Sequence, residues 1–551
     1  MKKLILLCVL LGSLMVNAQT APTTCYRISL SDKNNSPYSL DNPSAYLSAR
    51  ALAKRARFNI PITEQDLPVN PQYLQQIKAL DNDIRVLCVS KWMNTTTIYC
   101  PDSTKLAQIA SLPFVTDILP VANYDLNIDY GAPAANEIIE PLVPNQSKDT
   151  VIPYDYGYGY PQIALHNGHL LHNAGFRGDS MLIVVFDAGW TGLDTSAFFQ
   201  SLFENGQIWG TVDLIPWRHY VYDGHYHGTI VTSTMAVQSE GVLVGTAPNA
   251  NYFFIRSECP DSEQLIEEDF WAQAAEIADS LGADVINSSL GYTTFVDFPQ
   301  GNFTYQDVDG VTSIASRAAT ILGQKGVVVC ISAGNDGAND WHYIGHPGDA
   351  FDVLTVGAAD VVGNIAPFSS RGPTYDGRVK PDITSVGDRT LCIWPEYGLG
   401  IANGTSLASP VAAGLCACLW QALPTKSSTE IMQIIRESGS CYNNPNDSLG
   451  YGIPDFFAAY QLHAHDGVAQ YTIPTISVFP NPCTDLVTIP NRELNIQRVE
   501  LYSIDGRLVL NQQPEQDYFI NIHVNNLPAG FYTGRIVTTN HQTKTFKVLK
   551  Q

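Results

Sequence analysis

Between residues 155 and 465 the chain alternates short apolar runs, each bounded by turn residues, with segments of helical periodicity. Short apolar runs that recur between helices predict buried strands, and strands joined by helices pair in parallel. This region is therefore predicted to form an α/β domain with a parallel sheet and helices on both faces. The predicted strands are Leu182–Phe186, Tyr252–Ile255, Val285–Asn287, Val327–Ser332 and Val353–Val356.

The segment before this domain has a different pattern. Between residues 25 and 121, strand-like and helical stretches follow one another in the order β-α-β-β-α-β, with an additional short helix predicted at Pro71–Leu80. That order is typical of the split βαβ sandwich, a small α+β domain, which we assign to residues 19–130. Residues 131–154 are rich in Pro, Ala, Asn and Glu without periodicity, which predicts a linker.

The C-terminal segment, residues 475–551, contains short strands separated by turn signals such as Asp505-Gly506 and Ala529-Gly530. This spacing predicts a small all-β sandwich. Its charge also differs, because residues 151–470 carry 34 acidic and 11 basic side chains whereas residues 471–551 carry 6 and 7. The segment is therefore expected to be a separate module. The net charge of −22 for the whole chain argues against nucleic acid as a partner.

The first residues have the features of a secretory signal peptide. Two lysines precede the apolar run Leu4–Val16, and small side chains at Val16 and Ala18 predict cleavage after Ala18. A transmembrane anchor is the alternative, but the run is too short to cross about 30 Å of hydrocarbon comfortably. The mature protein is therefore expected to be exported, without a transmembrane span.

Ten cysteines remain once the predicted signal peptide, which contains Cys8, is removed. In an exported protein an even number permits disulfides, but buried free thiols are an equal alternative. Cys88 and Cys100 flank a predicted turn and are candidates for facing each other across a hairpin. Cys416 and Cys418 lie two residues apart on a predicted helix, so they point to different faces and should not pair.

Three short segments carry side chains suited to nucleophilic catalysis. Asp187 ends a predicted buried strand, His227 precedes Gly-Thr and an apolar helix, and Ser406 begins a helix rich in Ala and Val. A serine hydroxyl becomes a nucleophile when an imidazole removes its proton, and a carboxylate orients that imidazole. His225 is the competing histidine, which we assign to the surface because Gly-Thr does not follow it.

The order of these residues discriminates between classes of serine hydrolase. The α/β-hydrolases have the order Ser, acid, His, and the chymotrypsin-like barrels have His, Asp, Ser on β-structure. Asp, His, Ser on an α/β sheet is the order of the subtilisins. The three candidates also lie at the ends of elements of one predicted sheet, where such folds place their sites.

From about Tyr154 to Ala464 the sequence resembles the subtilase family of serine endopeptidases. Five motifs carry the resemblance, each weak alone but specific in this order. The catalytic Asp, His and Ser motifs match Phe186–Gly189, His227–Ile230 and Gly404–Pro410, the oxyanion motif matches Ser332–Gly337, and the substrate-strand motif matches Asn287–Gly291. The resemblance implies a subtilisin-like fold in which Asp187, His227 and Ser406 form the catalytic triad.

Further roles follow for the residues around the triad. The amide of Asn335 and the backbone N–H of Ser406 are expected to hold the oxyanion. An edge strand at residues 289–291 would bind an extended peptide through backbone hydrogen bonds, which favours polypeptide substrates. The predicted substrate-binding residues are Ser289, Leu290, Gly291, Ala333 and Gly334, and the segment Gly345–Gly348 resembles the family's wall of the pocket for the residue before the cleaved bond.

Both terminal modules fit this family. The α+β domain resembles a subtilase propeptide, which acts as folding aid and inhibitor. The C-terminal segment contains Phe479–Pro482, Leu501–Arg507 and Leu527–Tyr532, which resemble the C-terminal sorting domain of the type IX secretion system. The resemblance thus implies export through the periplasm, to the cell surface or the medium, by the type IX secretion machinery.

The sequence therefore predicts a secreted serine endopeptidase that hydrolyses peptide bonds through an acyl-enzyme. No cofactor is expected for the chemistry; structural calcium is compatible with the family, but no loop identifies its ligands. Polypeptide substrates and the chain's own propeptide, as inhibitor, are the expected partners. Two alternatives stay open: a catalytically inactive protease-like binding scaffold, and a surface adhesin that acts through the β-module.

Overall fold

The computed structural model describes residues 23–124, 153–216, 218–464, 478, 480–491, 496–503, 507–514, 519–539 and 543–551. The predicted signal peptide, nearly all of the linker and the Asp505-Gly506 turn lie outside these residues. The described chain divides into two compact units, with the boundary between Ala464 and His465. None of the described helices has the length and apolar character needed to cross a membrane.

The N-terminal domain has the predicted α+β architecture. Its four strands form an antiparallel sheet in the order β2-β3-β1-β4. Helix α1 begins after Ser48, whose side chain accepts a hydrogen bond from the Ala51 N–H. The elements are β1 Cys25–Leu30, α1 Ala49–Phe58, α2 Pro71–Lys78, β2 Arg85–Ser90, β3 Thr95–Tyr99, α3 Leu106–Ala110 and β4 Val115–Ala122.

A seven-stranded parallel sheet forms the centre of the next domain, in the order β13-β12-β11-β10-β5-β9-β6. Two short antiparallel hairpins, β7-β8 and β14-β15, accompany it. The strands are β5 Leu182–Asp187, β6 Ile208–Asp213, β7 Gln238–Ser239, β8 Leu243–Val244, β9 Asn251–Arg256, β10 Val285–Ser288, β11 Val328–Ser332, β12 Leu354–Ala359, β13 Ile383–Val386, β14 Thr390–Trp394 and β15 Gly398–Ala402.

Helices cover both faces of this sheet, which confirms the predicted α/β fold. Every residue of β5 is buried, and successive side chains enter opposite cores: Ile183 and Val185 on one face, Leu182, Val184 and Phe186 on the other. The helices are α4 Tyr160–Ala164, α5 Gly168–Asn173, α6 Gln200–Glu204, α7 His227–Ala236, α8 Glu267–Leu281, α9 Ile314–Gln324, α10 Thr405–Ala422, α11 Ser428–Glu437 and α12 Phe456–His463.

Two details of the sheet differ from the sequence-based expectations. The edge strands β6 and β13 were not predicted, because β6 alternates buried with partly exposed side chains and β13 has polar residues, Thr384 and Ser385, at its centre. Residues 289–291 are not an edge strand. They follow the end of β10, which pairs with β5 on one side and β11 on the other, in the interior of the sheet.

The N-terminal domain packs its sheet against helix α8 of the α/β domain through polar contacts. The Arg27 guanidinium binds the Asp269 carboxylate at 2.5 Å. The Glu276 carboxylate accepts hydrogen bonds from Ser90 Oγ and from the backbone N–H groups of Lys91 and Trp92. Because Asp269 and Glu276 lie two helical turns apart, they form one carboxylate face that matches the donors of the small domain.

A second set of contacts joins helix α1 to the end of α8. The buried Arg55 guanidinium donates to the carboxylates of Asp66 in its own domain and Asp279 on α8, at 2.9 and 2.8 Å. Lys325, in the turn after α9, binds Asp66 at 2.9 Å. Buried charges are tolerated when they are paired, so this four-residue cluster ties the two domains together.

The C-terminal unit consists of β-strands around its own apolar core. One four-stranded antiparallel sheet has the order β18-β17-β20-β21, and β16 pairs with β19. This agrees with the predicted all-β module. The strands are β16 Leu486–Pro490, β17 Ile496–Ser503, β18 Leu508–Gln512, β19 Phe519–His523, β20 Gly530–Thr538 and β21 Thr543–Lys550.

The ten cysteines in the described residues are free thiols, nine of them buried. Cys88 and Cys100 do not face each other: Cys88 stands opposite Thr97 and packs on the α8 side of the sheet, whereas Cys100 packs in the small domain's own core. The buried-thiol alternative therefore describes these residues.

Candidate active site

The candidate acid and base meet where strand β5 ends and helix α7 begins. The Asp187 carboxylate is fully buried, and His227 Nδ1 lies 2.8 and 3.0 Å from its two oxygens. The backbones are joined by a 2.9 Å hydrogen bond from the Gly228 N–H to the Gly189 carbonyl. A Cβ on Gly228 would approach the Trp190 ring to 2.7 Å, so this close approach requires glycine.

This arrangement fixes the chemistry of the imidazole. With Nδ1–H donating to Asp187, the neutral ring carries its lone pair on Nε2. Burial lowers the pKa of His227, but the charge and hydrogen bond of Asp187, with a further contribution from Glu258, raise the pKa above its usual value overall. The ring is 23% exposed, so Nε2 can exchange a proton with a bound group.

Ser406 is the second residue of helix α10 and is 8% exposed. Gly404 precedes the helix with φ +150°, and a Cβ at this position would lie 2.8 Å from Ser406 Oγ. Glycine therefore leaves room for the serine hydroxyl at the start of the helix. Backbone N–H groups in the first turn of a helix have no partner within it, so they can stabilise a developing negative charge.

Asn335 is exposed beside Ser406, and its orientation is set by Thr405. The side-chain oxygen of Asn335 accepts hydrogen bonds from the Thr405 N–H at 2.9 Å and the Thr405 hydroxyl at 3.1 Å. Because the oxygen is engaged in this way, the Nδ2 amide group is the end that can donate to a ligand. This orienting role of Thr405 was not predicted from the sequence, although Thr405 stands directly before the candidate nucleophile.

A relay of polar side chains links the substrate-strand motif to the Ser406 helix. Ser409 Oγ donates to Asn287 Oδ1 at 2.8 Å, and Asn287 Nδ2 donates to Ser289 Oγ at 3.0 Å. Ser289 Oγ in turn donates to the carbonyl of Ser406 at 2.8 Å. The Ser289 hydroxyl thus supports the helix. Asn287 and Ser409 are supports that sequence analysis missed, although polar residues in an apolar strand and helix were a signal for them.

The other four candidate substrate-binding residues differ in their surroundings. Gly291 is exposed, whereas Leu290 is only 4% exposed. The backbone of Ala333 pairs with Val356 and Gly345, and Gly334 pairs with the Thr405 hydroxyl and the Ser370 N–H. Ala333 and Gly334 are therefore held by neighbouring backbone and side-chain groups, and Gly291 is the one of the four that is exposed. Their binding role stays a prediction.

A group of carboxyls that was not predicted from the sequence lies next to the acid and base. Burial raises the pKa of Glu258 to about 8, with further contributions from Glu263 and Asp187. Glu267, on the first turn of α8, accepts a hydrogen bond from the Cys259 N–H at 3.0 Å. The raised pKa favours the protonated form of Glu258, and whatever negative charge Glu258 keeps contributes to the raised pKa of His227.

The end of the N-terminal domain runs along this same side of the α/β domain. The Ile266 N–H donates to the Val121 carbonyl at 3.1 Å, and the Asn123 N–H donates to Gln264 Oε1 at 2.8 Å. Tyr124, 8% exposed, receives a hydrogen bond from Ser262 Oγ at 3.3 Å. The last described residues before the linker are thus held by the segment that leads into α8.

Comparison with known proteins matches three parts of the chain to families. Residues 212–452 match the subtilase family, residues 25–135 match the peptidase S8 propeptide domain of Bacteroidota, and residues 477–551 match a secretion system C-terminal sorting domain. His227, Asn335 and Ser406 lie within the first match, and Asp187 precedes it.

Individual relatives cover the same region. Subtilisin BL of Lederbergia lenta is 28% identical over half of this chain and 89% of its own length. The M-protease of Shouchella clausii is 24% identical over 73% of this chain and 91% of its own length. The membrane-bound transcription factor site-1 protease of Mus musculus is 29% identical over 53% of this chain and 26% of its own.

Residues 212–452 therefore form a domain of the subtilase family, and the relatives that are similar to this region include proteases. A propeptide domain precedes this domain, and a type IX sorting domain follows it, which indicates export to the cell surface or the medium. Among the described residues, no group of three or more His, Cys, Asp or Glu side chains is arranged to hold a metal ion.

Proposed function

We propose that this protein is a secreted serine endopeptidase that cleaves polypeptides through an Asp187–His227–Ser406 triad and an acyl-enzyme. The observation that carries the proposal is the pair of contacts between His227 Nδ1 and the buried Asp187 carboxylate, at 2.8 and 3.0 Å. This geometry supports a base at Nε2, because the carboxylate both selects the tautomer and stabilises the imidazolium that forms.

In the proposed reaction, His227 Nε2 takes the hydroxyl proton of Ser406 while Ser406 Oγ attacks the peptide carbonyl. The oxyanion is held by the Asn335 amide and the Ser406 backbone N–H. The imidazolium then gives its proton to the leaving amine, and the acyl-enzyme forms. Water, activated by the same imidazole, releases the acid product and restores Ser406. The proposed chemistry requires no cofactor.

The propeptide domain is proposed to inhibit the enzyme until the linker is cut. Two observations support this: the ion pairs that join it to α8, and the contacts of residues 121–124 with residues 262–266 beside the candidate site. We propose that the enzyme cuts itself between residues 122 and 154. The separated propeptide would then leave as it is degraded.

The decisive experiment combines a labelling assay with Ser406→Ala. The mature enzyme should react with a fluorophosphonate probe at Ser406 and should hydrolyse an unfolded protein substrate. Ser406→Ala should fold, remain unlabelled, accumulate as the longer precursor and lose about a factor of 10⁶ in kcat, the loss measured when a subtilisin loses this serine.

Circular dichroism of the variant controls for folding. Equal hydrolysis by the purified variant would overturn the triad. Failure of the wild-type protein to react with the probe would instead favour an inactive scaffold or an adhesin. Normal trimming of the variant, made alone, would show that another protease performs the maturation.

A further inference from the structure

A second histidine–aspartate pair lies in the segment Gly345–Gly348 and the residue after it. His346 Nδ1 is 3.0 Å from Asp349 Oδ1 and 3.3 Å from Ser316 Oγ on helix α9. Ser316 Oγ also donates to the same Asp349 oxygen, and the Gly310 N–H donates to its other oxygen at 2.7 Å. No partner for this histidine was predicted from the sequence.

All three side chains of this cluster are fully buried. Burial lowers the pKa of His346, but Asp349, followed by Glu268 and Asp307, raises the pKa above its usual value overall. Burial raises the pKa of Asp349, but His346 and Ser316 lower it below its usual value overall. Both shifts favour the charged pair, an imidazolium beside a carboxylate. His346 Nε2 is buried without a hydrogen-bond partner among the described residues.

The backbone at this pair bridges the two sides of the candidate cleft. The His346 N–H donates to the Tyr292 carbonyl at 3.0 Å, and the Tyr292 N–H donates to the His346 carbonyl at 2.7 Å. The neighbouring Gly345 N–H donates to the Ala333 carbonyl at 3.3 Å. Tyr292 directly follows Gly291, and Ala333 stands two residues before Asn335. Residues 345 and 346 thus span the gap between the two segments.

A buried ion pair adds little net stability to a loop, because removing both charges from water costs free energy and well-packed apolar side chains often stabilise a loop as well. What a charged and hydrogen-bonded pair adds is directional restraint. Here it connects the residue that bridges the cleft to α9 and to the Gly310 turn, which lie outside the cleft. The Phe303 ring packs on the imidazole with a centroid distance of 4.3 Å and limits its movement.

We propose that His346, Asp349 and Ser316 are positioning residues that set the width of the substrate cleft. They fix residues 345–346 between Gly291 and Ala333, and thereby the pocket for the substrate side chain before the cleaved bond. This inference rests on the proposed function. Disrupting the cluster should weaken binding of peptides that fill the pocket, while the reactivity of Ser406 towards a small reagent is retained.

The test compares two substitutions at one position. His346→Leu removes both the charge and the donor, whereas His346→Asn keeps a donor where Nδ1 stands. Concentrations of mature enzyme are set by titrating Ser406 with a small fluorophosphonate. We expect His346→Leu to lower kcat/KM at least tenfold, mainly through KM, for peptides that vary in the residue before the cut. His346→Asn should restore most of this loss, and both labelling rates should stay within about twofold of the wild type.

His166 supplies a matched control, because it too is a fully buried histidine hydrogen-bonded to a serine. Its Nε2 lies 2.8 Å from Ser385 Oγ, and its Nδ1 lies 3.0 Å from the Pro454 carbonyl. His166→Leu should lower thermal stability and leave KM within about twofold of the wild-type value. If His346→Leu yields too little folded protein, Ser316→Ala replaces it, with an expected two- to threefold rise in KM.

Two results would overturn the proposal. One is a KM in the cluster variant that equals the wild-type value for every peptide, measured with the enzyme concentration set by active-site labelling. The other is an equal KM change in His166→Leu, which would make the effect one of general stability. If the wild-type enzyme neither reacts with the probe nor cuts any peptide, the proposed function fails instead, so the two failures are distinguishable.

Discussion

The two histidine–aspartate pairs of this domain have nearly the same local geometry and opposite surroundings. In each, Nδ1 lies about 3 Å from a buried carboxylate, and in each the pKa of the histidine is raised. His227 is 23% exposed and begins a helix next to the Ser406 segment, whereas His346 is fully buried against Ser316 and Phe303. The pair alone therefore does not define a catalytic base; access of Nε2 to a substrate does.

Replacing each aspartate by asparagine should separate the two pairs most strongly. In the wild-type protein the Ala188 N–H donates to Asp187 Oδ1 at 2.8 Å. In Asp187→Asn the same N–H would hold the amide oxygen in this position, so that the amide NH₂ is turned towards His227. His227 would then carry its proton on Nε2 and could not act as a base. We expect kcat to fall by about 10⁴, as measured for the equivalent change in a chymotrypsin-like protease, with a small change in thermal stability.

Asp349→Asn is the matched control for this substitution. It leaves a buried imidazole without its counter-charge, and breaking a buried pair costs about 3–5 kcal/mol of stability. The kcat of Asp349→Asn, calculated per active site labelled at Ser406, should fall far less than the kcat of Asp187→Asn. Thermal denaturation and peptide hydrolysis, measured on both variants, check the two effects. A larger loss of kcat in Asp349→Asn would contradict the assignment of His227 as the base.

How far the sequence predicted these pairs depends on how local their signals are. Asp187 ends a strand and His227 begins a helix. The residues adjacent to each complete its sequence motif, so both were predicted. His346 and Asp349 stand three apart in a segment rich in glycine and proline, a pattern typical of an exposed turn. Their burial depends on Ser316, Gly310 and Phe303, which are remote in sequence, so the ion pair could not be predicted.

The same limit applies to the rest of the fold and site. Uniformly apolar strands such as β5 were predicted closely, whereas the alternating edge strand β6 was not. Asn335 was predicted from its motif, but its orientation depends on Thr405, seventy residues away. The interface of the propeptide domain was also unpredictable, because Arg55 meets Asp279 only after both domains have folded.

The second prediction uses pH, to which the two pairs should respond in opposite ways. His227 acts as a base only when neutral, so kcat/KM should rise with pH, about tenfold per unit, until pH exceeds its raised pKa. The pKa of His346 is higher in the folded than in the unfolded protein, where it is about 6.5. Its contribution to stability is therefore complete below pH 6.5 and is lost as pH rises through the folded pKa.

Rate profiles and thermal denaturation at each pH measure these two effects. Besides its partner Asp349, the acidic groups that face His346 are Glu268 on α8 and Asp307. Protonation of these carboxyls also changes the stability at acidic pH. His346→Asn is the control, since it should flatten the alkaline decline in stability and keep the acid limb of kcat/KM. An unchanged alkaline decline in that variant would show that other groups cause it.

The third prediction concerns the smallest expected effect, removal of the C-terminal unit. Both histidine–aspartate pairs lie in the unit that ends at Ala464, and the strands after residue 478 surround a core of their own. A chain truncated after residue 470 should therefore keep kcat/KM within about twofold, and both pH profiles should be unchanged.

In the native host the truncated chain should accumulate in the periplasm, because the sorting domain is missing. Immunoblots and activity assays of cell fractions, with the full chain as control, check both parts. Normal export of the truncated chain would contradict the sorting role, and a soluble, folded but inactive product would contradict the independence of the two units.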